Sequence, residues 1–204
     1  MQKFILYFLL IITSVACSQK KETFNDYTAS IKDFQYKLNT EFSDKEESPL
    51  TEEGFKKFKT LDFFPIDSTF KITATFELES NQKTFKMPTT TERLPIYKTY
   101  GKATFKVDGK DLVLHIYQNQ ELIKKEGFKN HLFIPFMDNT NGNQTYEGGR
   151  FIDLEIPEGN TIVIDFNTAY NPYCAYNYKY SCPIPPKENK LDIAINAGVK
   201  AYKK

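Results

Sequence analysis

The first strongly periodic stretch of the chain begins at Phe24. Phe24, Tyr27, Ile31, Phe34 and Leu38 step by three and four residues, the spacing that lines one face of a helix. Thr23 or Asn25 would cap its start. The acidic stretch 41–49 ends the pattern, and a second short helix is predicted over 51–59. Thr51 would be its N-cap, Glu52 and Glu53 would complement its dipole, and Phe55 and Phe58 would form its buried side. After Leu61 the apolar period shortens from about 3.6 residues to 2. Phe70, Ile72, Ala74, Phe76 and Leu78 alternate with Lys71, Thr73, Thr75 and Glu77, a half-buried strand. Strands are predicted at 103–107 and 112–117, joined by Asp108-Gly109, a dipeptide suited to the positive φ of a two-residue hairpin turn. Further strands are expected at 83–87, 94–99, 131–136, 151–156, 161–166 and 191–195, with Glu158-Gly159-Asn160 closing a second hairpin. Short strands joined by turns, with helices only in front, predict a mainly β fold. It is an antiparallel β-sandwich or an open barrel with the N-terminal helices packed on it, and the pattern leaves these two open.

The residues before that helix change the expected compartment. Lys3 precedes an apolar run of nine residues, 4–12, and Ser14-Val15-Ala16-Cys17 follows. The run is shorter than the about 20 residues that cross a bilayer and suits a signal peptide. The segment resembles a bacterial lipobox, with Cys17 lipidated as the mature N-terminus. The expected organisation is therefore a signal peptide at 1–16, a tether at 17–22, a helical segment at 23–60 and a β-rich domain at 61–204. Cleavage would remove one lysine and no acids, leaving 26 basic and 26 acidic side chains. With no basic stripe and an expected place in the bacterial cell envelope, nucleic-acid binding is set aside. The expected partner surface is the membrane, reached through the N-terminal lipid, with the periplasmic or outer face left open.

Several segments then occur in a familiar order. They are Leu61-Asp-Phe-Phe-Pro65, Tyr100-Gly101, Phe133-Ile-Pro-Phe-Met137 with Asp138-Asn-Thr140, and Tyr146-Glu-Gly-Gly-Arg150. Asp165-Phe-Asn167, Ala169-Tyr-Asn-Pro172, Cys174, Cys182-Pro183 and Glu188-Asn189 continue the series. From about residue 48 to 199 the chain resembles the bacterial domain-of-unknown-function family 1684. The resemblance implies one β-rich domain and brings no established activity. The chain departs from the family pattern at Met137, Asn141 and 196–199.

Candidate chemistry is sparse. Cys174 and Cys182 form an even pair in an oxidising compartment. A disulfide between them would close a nine-residue loop and stabilise the fold by roughly 2.5 kcal/mol in the chain-entropy model. A metal site or a reduced pair are the alternatives; a metal would need further ligands, and the chain has two histidines. No metal and no cofactor is implied. No G-x-S-x-G elbow occurs. Asp138 to Asn143 superficially suggests a calcium loop, but Gly142 and Glu147 fall out of step with one, so a polar turn is the plainer reading. In Tyr146-Glu-Gly148-Gly149-Arg150 the glycines permit close backbone approach and Arg150 offers a planar fork. That fork either meets a carboxylate or phosphate of a small polar or anionic ligand, or pairs internally with Asp138 or Asp165.

Three functional readings result. One is a small-ligand or partner-binding β-domain using Asp138, Thr140, Tyr146, Gly148, Gly149, Arg150, Asp165, Asn167, Tyr170, Asn171, Tyr176, Glu188 and Asn189. Five of the 13 tyrosines fall in residues 170–180, giving flat amphipathic contact area. The second is an envelope hydrolase built on Asp138, Arg150, Asp165 and Glu188. The third is a purely structural envelope protein. The motifs favour binding over catalysis.

Overall fold

The computed structural model describes residues 23–203. The signal segment 1–16, the lipidation site Cys17 and the tether to residue 22 lie outside the described residues. Helix α1 (Phe24–Ser43) begins with a capping box. The Thr23 hydroxyl accepts from the Asp26 backbone at 3.2 Å, and the Asp26 carboxylate accepts the Thr23 N–H in return. Tyr27, Ile31 and Phe42 are buried, and the helix continues to Ser43, past the expected break at Glu41. Helix α2 (Glu52–Lys57) is capped by Thr51, whose side chain accepts from Gly54 at 3.0 Å.

Seven strands follow: β1 (Lys71–Leu78), β2 (Thr84–Lys86), β3 (Ile96–Val107), β4 (Lys110–Asn119), β5 (His131–Phe136), β6 (Arg150–Glu155) and β7 (Thr161–Asp165). They form one antiparallel sheet in the order β6-β5-β4-β3-β1-β7, with β2 beside the first part of β3. The β3–β4 hairpin turns at Asp108 and Gly109, both at positive φ (49° and 77°). The two strands expected at 94–99 and 103–107 are one long strand, because a bulge at Thr99/Gly101 absorbs the break in alternation. Gly101 is required there: a Cβ would stand 2.5 Å from the Glu77 carbonyl oxygen.

Two expectations are corrected. The turn at Glu158–Asn160 does not join a hairpin, since β6 and β7 are the opposite ends of the sheet and β7 pairs with β1. Gly159 has the positive φ of a turn (86°), but the link carries the chain from one edge to the other, where the Phe76 N–H donates to Asn160. The ends approach each other, so the sheet curls into a half-barrel rather than dividing into a sandwich. The segment 191–195 is not a strand. Leu191, Ile193, Ile195 and Ala197 do alternate inward and fill the main core with Leu114, Ile134, Phe136 and Phe166. Their backbone is held instead by Met137 and Asn139 and by the buried side chains of Arg150 and Asp138.

Candidate functional site

Six polar residues of the recognisable segments, Asp138, Thr140, Arg150, Asn167, Asn171 and Asn189, are buried clips. Arg150 and Asp138 form an ion pair at 2.8 Å with both side chains fully buried. The guanidinium also donates to the carbonyls of Ile195 (2.9 Å) and Ala197. Asp138 accepts from the Thr140 N–H and hydroxyl (2.8 and 2.6 Å) and from the Ile195 N–H (3.2 Å). The pair thus takes the place of a neighbouring strand for the segment beyond Leu191. Arg150 chooses the internal partner of its two sequence readings, and its head is closed to any ligand. Burial pulls its pKa down while Asp138 pulls it back up.

The asparagines behave alike. Asn189 donates to the carbonyls of His115 and Pro135 and accepts the His115 N–H at 2.7 Å. Asn167 accepts from the Asp67 N–H (3.0 Å) and donates to the Asp67 carbonyl and to Asp165. Asp165 accepts from the Tyr27 hydroxyl at 3.1 Å, fastening α1 to the end of β7. Asn171 donates to the Lys200 carbonyl at 2.8 Å and to Tyr176. Gly148 and Gly149 are steric requirements: a Cβ would lie 2.5 Å from the Tyr146 ring and 2.6 Å from the Phe136 carbonyl oxygen respectively. The turn at 138–145 is a web of Asx and Thr hydrogen bonds around Asn141, Thr140 and Thr145.

Glu188 is exposed and accepts from the buried Tyr117 hydroxyl at 3.0 Å, in another part of the fold. Asp138 and Arg150 are therefore together, while Asp165 and Glu188 each have separate partners. The four hydrolase candidates do not surround a common cleft. Cys174 and Cys182 are free, buried thiols, so the expected disulfide is not formed in this structure. They are neighbours nonetheless: the Cys174 N–H donates to the Cys182 sulfur at 3.1 Å, and the Tyr146 hydroxyl lies 3.9 Å from the Cys174 sulfur. A hydrogen bond between the two sulfurs holds the Cys174 thiol below its ordinary pKa against burial, and the same bond, with burial, pushes Cys182 above it. Among the described residues no three His, Cys, Asp or Glu side chains group as metal ligands.

The concave feature lies elsewhere, on the outer face of β5 and β6. A cleft of about 630 Å³ opens there, walled by α1 through Phe34, Leu38 and Glu41 and by the tail through Tyr170, Tyr173 and Tyr180. Its floor is a row of rings. Tyr97 and Phe133 have centroids 5.9 Å apart, Phe133 and Phe151 4.8 Å, and Phe151 and Tyr170 6.0 Å, the last two edge to face. Tyr173 and Tyr180 make another edge-to-face pair at 5.2 Å. Polar groups converge on this row. Asp153 accepts from the Tyr170 hydroxyl at 2.7 Å and meets His131 Nε2 at 3.0 Å. The Tyr173 hydroxyl donates to Glu41. Burial first, and the adjacent carboxylate second, push the Tyr170 phenol well above its ordinary pKa, and Tyr173 is raised by burial and by Glu41. The buried Nδ1 of His131 has no hydrogen-bond partner.

Of the expected site residues, Tyr170 lines this cleft. Tyr176 is buried against Phe42 and Tyr202 on the far side of the tail. Sequence reasoning missed His131, Phe133, Phe151 and Asp153. A signal was present: 132–136 reads Leu-Phe-Ile-Pro-Phe without alternation, and a strand apolar on both faces must be covered on both. A smaller hollow of about 440 Å³ lies by α2, but its Lys57 and Lys200 already face Glu53 and Asp62.

The model of a family described as a protein of unknown function (DUF1684) matches residues 56–200, beginning later than the expected 48 and leaving the α1 wall of the cleft outside the match. The solution NMR structure of an uncharacterized protein from gene locus rrnAC0354 of Haloarcula marismortui superposes with a TM-score of 0.68. The two are 30% identical, and the similarity covers 86% of this chain and 95% of that one. No curated protein matches. With well over half its length matched, the chain belongs to the DUF1684 family of proteins of unknown function.

Proposed function

We propose that this protein is a small-ligand-binding β-domain, held at the cell envelope by a lipid on Cys17. The observation that carries the binding reading is the cleft of about 630 Å³ with its ring floor and the Asp153–His131–Tyr170 group at its edge. Ligand sites are concave and mostly apolar, with few well-placed polar groups, and this cleft has that make-up. The anchoring reading is supported by the apolar run 4–12 ahead of Ser14-Val-Ala-Cys17. Neither support requires chemistry at the site.

The binding reading is tested by mass spectrometry of species retained when the protein is purified natively from its own cells, followed by a thermal-shift screen of soluble metabolites. A binder should raise the midpoint and shift resonances of Phe151 and Tyr170. Phe128→Ala, at an exposed rim ring (42% exposed), should weaken it without lowering the midpoint of the free protein. A binder whose shifts fall at the hollow beside α2, or a screen and native extract that both return nothing, would overturn the reading. The anchor is tested separately: Cys17→Ser should release the protein from the membrane fraction.

A further inference from the structure

The cleft also carries charge of one prevailing sign. Two carboxylates reach it, Asp153 from β6 and Glu41 from α1. Among the described residues neither is ion-paired with a lysine or an arginine; Asp153 meets His131 and Tyr170, and Glu41 meets Tyr173. The Asp153 side chain remains 48% exposed. Arg93, the guanidinium of the lining, is committed to Ser181, with its Nε 3.2 Å from the hydroxyl and its NH2 2.8 Å from the carbonyl. Those partners are neutral, so Arg93 keeps its charge, and the lining sets two carboxylates against one guanidinium.

The aromatic wall reinforces this sign. A ring presents negative charge on its face. Tyr170 and Tyr173 each donate their phenol proton to a carboxylate, which polarises the phenol toward phenolate and makes the ring face more negative still. Phe133 and Phe151 are only 6% and 5% exposed, so the ring surface left for a guest comes mainly from half-buried Tyr170 and Tyr180 and from Tyr173, 37% exposed. An anion would meet two carboxylates and a single guanidinium already hydrogen-bonded to Ser181. An inorganic cation such as Ca²⁺ needs a shell of oxygens that ring faces cannot supply. The space also far exceeds a bare small ion.

We propose that the cleft selects a small organic cation, an ammonium carried on an apolar or aromatic body, with Asp153 as its counter-charge. The proposal rests on the reading of the cleft as a ligand site. The ammonium would sit against the Tyr170 and Tyr173 rings beside the Asp153 carboxylate, with the body along the cleft. Glu41 closes the charged end from the α1 side.

The test uses three probes of nearly equal size and different charge: benzylammonium, benzyl alcohol and benzoate. Each is titrated into the intact protein, with heat of binding and aromatic proton shifts as readouts. The cation should bind about tenfold more tightly than the alcohol, and benzoate should bind most weakly. Asp153→Asn should weaken the cation by about tenfold while leaving the alcohol unchanged. Because Asp153 also holds Tyr170 and His131, Glu41→Gln serves as a second variant; it should give a smaller loss for the cation alone, with an unchanged thermal midpoint. Equal binding of the three probes, or preference for benzoate, overturns the cation inference and leaves the ligand site standing. So does cation binding indifferent to both carboxylate variants. No heat and no shift from any probe overturns the cation inference; the ligand-site reading then falls only if the native extract and the metabolite screen are empty too.

Discussion

Replacing Arg150 by methionine removes the guanidinium and keeps most of the apolar stem. In the folded protein that head holds Asp138 at 2.8 Å and the carbonyls of Ile195 and Ala197, all out of solvent. Removing one partner of a buried ion pair costs about 3–5 kcal/mol. Two carbonyls also lose a donor, and a buried acceptor left unpaired costs about 1–3 kcal/mol. Against this, Asp138 keeps the Thr140 and Ile195 donors, and a thioether is easier to bury than a guanidinium. A net loss of about 4 kcal/mol is expected. For a domain of this size that lowers the thermal midpoint by about 8–16 °C. Urea unfolding followed by circular dichroism measures it directly. Arg150→Lys should recover only part of the loss, since a point charge cannot reach three acceptors in one plane. Adding Asp138→Asn to Arg150→Met should recover part as well, because the stranded charge is gone. A methionine variant within about 1 kcal/mol of the parent would refute the reasoning: the pair would then not be what holds the segment beyond Leu191.

Six tyrosines, 97, 117, 146, 170, 173 and 176, have pKa values raised chiefly by burial. Each is therefore harder to ionise folded than unfolded, so its contribution to stability is whole below about pH 10 and is lost as pH rises beyond that. Ultraviolet titration of tyrosinate should show these ionising only with unfolding, and all the tyrosines titrating together near the ordinary value would contradict it. Mild oxidation should join Cys174 to Cys182, with a gain of about 2.5 kcal/mol; alkylation under denaturing conditions, before and after reduction, counts the thiols. Recovery of both as free thiols after oxidant would show that the segment cannot close. Gly101→Ala should cost about 1–3 kcal/mol through the clash with the Glu77 carbonyl, and a neutral result in denaturant titration would mean the bulge relaxes freely.

Local signals were legible in the sequence where one element decides them alone. The start of α1 at Thr23 or Asn25, the N-cap at Thr51, the alternation of β1 and the Asp108-Gly109 turn each depend on residues within a few positions. The mistakes have a common physical origin. Gly159 fixes a change of direction but says nothing about which strand lies at the end of it. The alternation of Leu191, Ile193 and Ile195 fixes which side chains point inward, but not whether backbone or a guanidinium answers their carbonyls. The family signature was legible as unusual, and its role stayed open because Arg, Asp and Asn serve both purposes; burial, which sequence does not display, sets Arg150 against Asp138. The cleft was hidden because Phe133 and Phe151 come from different strands and meet a tail and a helix distant in sequence. Only the unbroken apolar run of β5 announced that its outer face needed a cover.

The segment 191–199 has one more consequence, in the order of synthesis. Of the residues that build the main core, Leu191, Ile193, Ile195 and Ala197 are the last to leave the ribosome. Until they emerge, the buried guanidinium lacks two of its acceptors and the half-barrel lacks its filling. A nascent chain of this protein cannot settle into its native core early. It stays loosely packed until the segment 191–199 has emerged.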